Sequence, residues 1–158
     1  MRLKGLVLDP TSNLPIVILR DEESRLFLPI WVGVFEANAI ALHMEEIDAP
    51  RPMTHDLLKN SLESLGAEVS RILISDLKDN TFYASIFLRS HNRQEVTLDS
   101  RPSDAIALAI RTKAPIFVLR SVLEKAQAFA ISSAVQDEDL LKKWLDEADP
   151  EDLGKYKM

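Results

Sequence analysis

Three runs near the start of the chain, RLKGLVLD, LPIVILR and RLFLPIWV, are dense in Val, Ile, Leu and aromatic positions. Polar breaks at Asp9-Pro10-Thr11-Ser12-Asn13 and Asp21-Glu22-Glu23-Ser24 part them. Branched and aromatic side chains suit a pleated, half-buried surface, whereas Asp, Pro, Asn and Ser turn the chain. The pattern predicts a three-stranded antiparallel meander. Gly33 ends that rhythm. In VFEANAIALHMEEI the period lengthens: Ala37, Ile40, Ala41 and Met44 fall at helical spacing, with Glu36 in the first turn where a carboxylate suits the helix dipole. Pro50 and Pro52 close this unit.

A second unit opens with RPMTHDLLKNSLESLGAEV. Thr54 is placed to cap a helix, Leu58, Leu62 and Leu65 line one face, and Gly66 stands where a left-handed C-terminal residue belongs. EVSRILISDL, TFYASIFLR and QEVTLDS follow, joined through Lys78-Asp79-Asn80 and Ser90-His91-Asn92-Arg93, and predict a second meander. Six apolar residues in a row, Ala105 to Ile110, then form a helix buried all round, entered through Arg101, Pro102, Ser103 and Asp104. APIFVLR is a strand, Val122 to Lys125 a short helix and FAISSAV a loose connection. From Asp137 the chain is strongly charged, and Leu140, Leu141, Trp144 and Leu145 give one short amphipathic helix. The expected fold class is α+β. Mostly antiparallel β-meanders pack with amphipathic and buried helices in a single domain, residues 1–131, and an acidic helical tail, 132–158, follows.

Composition narrows the classes. A chain of 158 residues with 46% hydrophobic content has one ordinary core. Without cysteine there are no disulfides, thiolate metal sites or cysteine nucleophiles. The apolar start is broken by Asp9 and Pro10 before it reaches signal-peptide length, and no stretch approaches the roughly 18 apolar residues of a membrane span. A soluble, cytoplasmic protein without a membrane partner is expected. The net charge of −6 argues against a broad electrostatic grip on nucleic acid, so any such binding would be local or helped by a metal.

The candidate chemistry lies at two helix mouths. Pro102 suits the first helical position, and Ser103 and Asp104 can accept bonds from the unpaired N–H groups there, so capping alone accounts for them. The motif occurs twice, however. Arg51-Pro52 precedes Thr54, His55 and Asp56, and the two arginines stand 50 positions apart. Brought together, the mouths would gather Arg51, His55, Asp56, Arg101, Ser103, Asp104 and Asp99. Carboxylates there could hold a divalent metal such as magnesium or manganese, arginines and Ser103 could fix a phosphate, and His55 could move protons near neutral pH. The same residues could equally form a structural ion-pair cluster.

The segments LPIWVGVFEANAIAL, RPMTHDLL, GAEV, FYASI and DSRPSDAIALAIRTKAPIFV, in this order and at these separations, resemble the bifunctional nuclease domain family. The resemblance covers about residues 1 to 131. It implies an α+β fold, a homodimer, and nuclease activity on both RNA and DNA as described for plant members. Glu36 belongs to its first block. Arg51, Thr54, His55 and Asp56 belong to the second, and Asp99, Arg101, Ser103 and Asp104 to the third. The region beyond Ser133 lies outside the core resemblance.

Two functions of different class follow. In a metal-assisted nuclease, Glu36, Asp56, Asp99 or Asp104 would supply ligands, His55 would act as acid or base, and Arg51 and Arg101 would steady the phosphate. In a dimeric binding or regulatory module, the Arg/Asp pairs would hold helices and subunits in register. Acids converging in an open cleft favour the first; acids each paired with an arginine and buried favour the second. Other features carry less. His43 reads as a packing residue and His91 as a turn residue. Asp76-Leu77-Lys78 resembles half of a nuclease signature without a partner acid. Phosphate-loop, serine-elbow and zinc-protease motifs do not occur.

Overall fold

The computed structural model describes residues 1–10, 12–21 and 26–126. It is an α+β arrangement of two sheets, three helices and a fourth helical segment, 120–126. The expected tail helix, with Trp144 and Asp137-Glu138-Asp139, lies outside the described residues, as does FAISSAV.

The first meander is formed by β1 (Arg2–Leu8), β2 (Pro15–Arg20) and β3 (Phe27–Trp31), in the order β1-β2-β3 and antiparallel throughout. Residues 15 to 19 of β2 are buried without alternation, as in a strand covered on both faces. Val17 and Leu19 face the core with Leu28 and Ile30 of β3. Ile16 and Ile18 face the other way, opposite Trp31 and Pro29.

The second sheet has the order β6-β5-β4-β7, from β4 (Ala67–Lys78), β5 (Thr81–Ser90), β6 (Glu95–Ser100) and β7 (Ile116–Val118). Asp79 and Asn80 join β4 to β5, both at positive φ, as the two-residue turn matched to strand twist requires. The strand expected over APIFVLR is only three residues long and pairs in parallel with β4, because the intervening helix carries the chain back over the sheet.

Three helices pack against these sheets: α1 (Val34–Met44), α2 (Thr54–Ser64) and α3 (Pro102–Thr112). α3 is the centre of the molecule, in contact with α1, α2, β4 and β5. Ala105, Ile106, Ala107, Leu108 and Ala109 are buried, as the apolar run required. Burying one Leu or Ile side chain stabilises a fold by about 1.5–3 kcal/mol, so this helix cannot leave the core cheaply.

α2 departs from expectation twice. Its N-cap is Met53, and Thr54 is already helical, because the Asp56 carboxylate reaches back to accept the Met53 backbone N–H at 2.9 Å. Its leucine face is buried only in part, through Leu62, which packs against the core. Leu58 is 39% and Leu65 83% exposed, and His55 is the helix's buried residue. Gly66 does adopt the expected left-handed conformation, with φ of 72°.

Candidate functional site

The two helix mouths converge in part. His55, at the second position of α2, places Nε2 3.0 Å from Oδ1 of Asp104, in the first turn of α3. Asp104 also accepts from Arg101 Nε at 2.7 Å, and Arg101 Nη1 lies 2.7 Å from Glu36 Oε1 in the first turn of α1. Four residues from three helix starts thus form one chain: His55, Asp104, Arg101, Glu36. Local sequence explains each placement. Pro102 fixes the first helical φ of α3 and leaves Arg101 as its N-cap. Gly33 lets the Glu36 carboxylate fold back over the N-terminus of α1, where a Cβ at residue 33 would collide with it.

Burial would raise the Asp104 carboxyl, but the hydrogen bonds from Arg101 and His55 outweigh it and hold the group below its ordinary range. An ionised carboxylate can only accept, so the proton in the His55 contact is on Nε2. Nδ1 is left as the atom that can take another. The Asp104 and Glu36 hydrogen bonds raise the Arg101 guanidinium further. Exposure is uneven: the His55 side chain is 10% exposed, Asp104 29%, Glu36 18% and Arg101 65%.

Asp56 is not part of this chain. It adjoins His55 in sequence but lies at the far end of α3, where Oδ1 accepts Nε of Arg111 at 2.6 Å. Arg111 is buried, and its other nitrogens donate to the carbonyls of Ala107 at 2.9 Å and Ala39 at 3.0 Å, which ties α1, α2 and α3 together. Burial raises the Asp56 carboxyl, and the bonds from Arg111 and Met53 overcome that and lower it. Arg111 was missed in the sequence. The signal was there, since an arginine directly after a run of six apolar residues in a buried helix must find partners.

The remaining candidates are dispersed. Asp99 is exposed on β6, opposite Ser85 of β5, and Arg51 is exposed in the loop before α2. Ser103 is buried at the second position of α3, and neither Ser103 nor Asp104 makes the expected side-chain cap; Asp104 spends both oxygens on His55 and Arg101. Among the described residues, no three His, Asp or Glu side chains are grouped as a metal ion requires. The donor chemistry agrees: Asp104, Glu36 and Asp56 are each engaged by a guanidinium, and Asp56 points to the other end of α3. The set does not fit a divalent ion.

His43 Nε2 lies 3.1 Å from the Ile110 carbonyl, and His91 packs its ring over Gly66 in the β5–β6 turn. Asp76 binds Lys78 at 3.0 Å and Lys125 at 2.7 Å, fastening segment 120–126 to the end of β4. Among the described residues no helix is long and apolar enough to cross a membrane.

The fold and these contacts define an α+β domain organised around a buried central helix with a charged entrance. The chain belongs to the bifunctional nuclease domain family, whose model matches residues 17–130. It is 33% identical to an uncharacterised protein of Mycobacterium tuberculosis, over 97% of this chain and 96% of that one. It is 30% identical to bifunctional nuclease 1 of Oryza sativa subsp. indica over 72% of this chain, and 32% identical to bifunctional nuclease 1 of Arabidopsis thaliana over 66%. Those matches span 35% and 33% of the plant proteins.

Proposed function

We propose that the chain hydrolyses phosphodiester bonds of RNA and DNA at the entrance of α3, without a bound metal. The observation that carries this reading is the exposed Arg101 guanidinium set beside a carboxylate-held imidazole. A phosphate anchor and a proton acceptor share one carboxylate, Asp104. Arg101 would bind a non-bridging phosphate oxygen and stabilise the charge that grows there. Nδ1 of His55 would take a proton from water as its oxygen bonds to phosphorus. The bond from phosphorus to the leaving oxygen breaks, and that oxygen is protonated by the imidazolium or by solvent. Asp104 orients the ring, while Glu36 positions Arg101. The names of the plant relatives support the activity.

The test is cleavage of labelled single-stranded RNA and DNA by highly purified protein, beside folded His55→Ala and Asp104→Asn variants, with magnesium, manganese or chelator. The reading expects chelator-resistant cleavage that both variants lose. Cleavage unchanged in the variants, or absent throughout, refutes it.

A second reading has its own support. The His55 side chain is only 10% exposed, and every acid of the cluster is already paired. Along β3 and into α1, Phe27 is 40%, Trp31 43% and Phe35 88% exposed, an apolar strip of the kind that marks an interface. In this reading the chain is a non-catalytic module that pairs with a second copy through the strip, and Arg101 is a lock between helices. A dimer in sedimentation that Phe35→Glu dissociates, together with absent cleavage, would favour it.

A further inference from the structure

At the other end of α3, away from the Arg101 cluster, a cavity of about 240 Å³ opens between the C-terminal end of α1, the loop that follows it and the first two turns of α2. Two prolines, Pro50 and Pro52, and Met53 give it stiff apolar walls. Its polar lining comprises His43, Asp48, Arg51 and Asn60, together with the Asp56 and Arg111 pair. Asp56 and Arg111 neutralise each other, and Asp48 and Arg51 add one charge of each sign to the lining.

Four observations specify an occupant. Its volume lies below the roughly 300–1,000 Å³ of pockets that enclose a whole drug-sized ligand, so it holds one ring system and not an entire nucleotide. His43 donates through Nε2 to the Ile110 carbonyl, because a carbonyl can only accept, and its Nδ1 is therefore an acceptor when the ring is neutral. Asn60 offers a donor and an acceptor side by side, the pairing by which an amide side chain reads the edge of a base. Among the described residues no ion pair engages Arg51, which is exposed and lines the cavity, so its guanidinium can meet a phosphate there.

We infer that this cavity binds a single unpaired nucleobase of a single-stranded nucleic acid, with Asn60 and His43 on the base edge and Arg51 on the adjoining phosphate. This rests on the nuclease reading for its substrate class and adds a subsite to it. His55 and Asp56 are consecutive, and one faces the first turn of α3 while the other faces its last. Asp104 and Arg111 stand seven positions apart, a rise of about 10 Å, so a strand lying along the α2–α3 boundary would reach both ends. The base is gripped without an aromatic platform, so a mononucleotide should bind with a Kd on the order of 1 mM.

The experiment is an NMR titration of the full chain with AMP, GMP, CMP, UMP and, separately, inorganic phosphate, repeated on Asn60→Ala, Arg51→Ala and Asp104→Asn. Shifts centred on the Asn60 amide and residues 47–53 should appear with at least one mononucleotide. They should weaken about tenfold in Asn60→Ala and persist in Asp104→Asn. If inorganic phosphate reproduces the shifts, the cavity is an anion site and the inference fails; it fails also if no nucleotide perturbs these residues. Binding without cleavage in the wild-type protein would leave the subsite standing and remove the nuclease reading. Cleavage without this binding would do the reverse.

Discussion

At its last turn α3 presents an arginine whose side chain is 4% exposed; at its first turn stands one that is 65% exposed. Both are paired with an aspartate at 2.6 or 2.7 Å. Burial makes the difference between them. Arg111 has its three nitrogens committed to Asp56 and two backbone carbonyls inside the protein, and removing it would leave those acceptors without donors. Arg101 reaches two carboxylates, those of Glu36 and Asp104, from the solvent side. One end of the helix is a fastener between three helices, and at the other the arginine stays mostly in water.

Replacing Arg111 should therefore have the largest effect on folding. Arg111→Ala should cost about 3 kcal/mol, at the low end for a broken buried pair because the Asp56 carboxylate keeps some solvent, and Asp56→Asn should add little on top of it. Denaturant midpoints of the two single variants and the double variant measure this, and additive losses would break the claimed coupling.

Acid comes next. Asp56 and Asp104 both have folded-state values held below the ordinary carboxylate. Their contribution is complete above the unfolded value of about 3.9 and is lost as pH falls through the lowered folded values. Stability against urea should hold from pH 7 to about 5 and fall below about 4. Asp56→Asn should lower the neutral plateau and flatten the fall; an unchanged acid limb would contradict the assignment.

At the first turn the balance reverses. Arg101→Gln should alter stability by less than about 1 kcal/mol, since the side chain is mostly in water. Thermal denaturation would expose a larger effect, which would make Arg101 a structural lock. Gly33→Ala should shift stability least, by a few tenths of a kcal/mol, because its cost is a displaced Glu36 carboxylate and not a strained backbone. A crystal structure of that variant should show Glu36 parted from Arg101.

Both meanders were legible because their strands are runs rich in branched and aromatic residues and their turns carry Asp, Asn, Ser and Pro; α3 was legible because six apolar residues follow a proline at its first position. The α2 face was misread for a physical reason. Leu58 and Leu65 are apolar by spacing, yet the helix turns His55 inward to meet Asp104, a pairing across 49 positions that no local pattern contains. The shared mouth was half visible: the repeated Arg-Pro pointed to His55 and Asp104, but the consecutive His55 and Asp56 serve opposite ends of α3. Arg51 and Asp99 carried the motif without its neighbours, since the loop before α2 and strand β6 hold them apart from the cluster. The strand over APIFVLR was legible, but its parallel pairing with β4 was not, because only three residues pair and their partner lies across the crossover.

The most direct measurement is the cleavage rate of single-stranded RNA by Arg101→Gln and Arg111→Lys, each normalised to its folded fraction. The account predicts that Arg101→Gln loses about 100-fold in rate with its stability nearly intact. It predicts that Arg111→Lys loses stability yet cleaves at the wild-type rate per folded molecule. Equal cleavage by Arg101→Gln and wild type, or no cleavage by either, would contradict it.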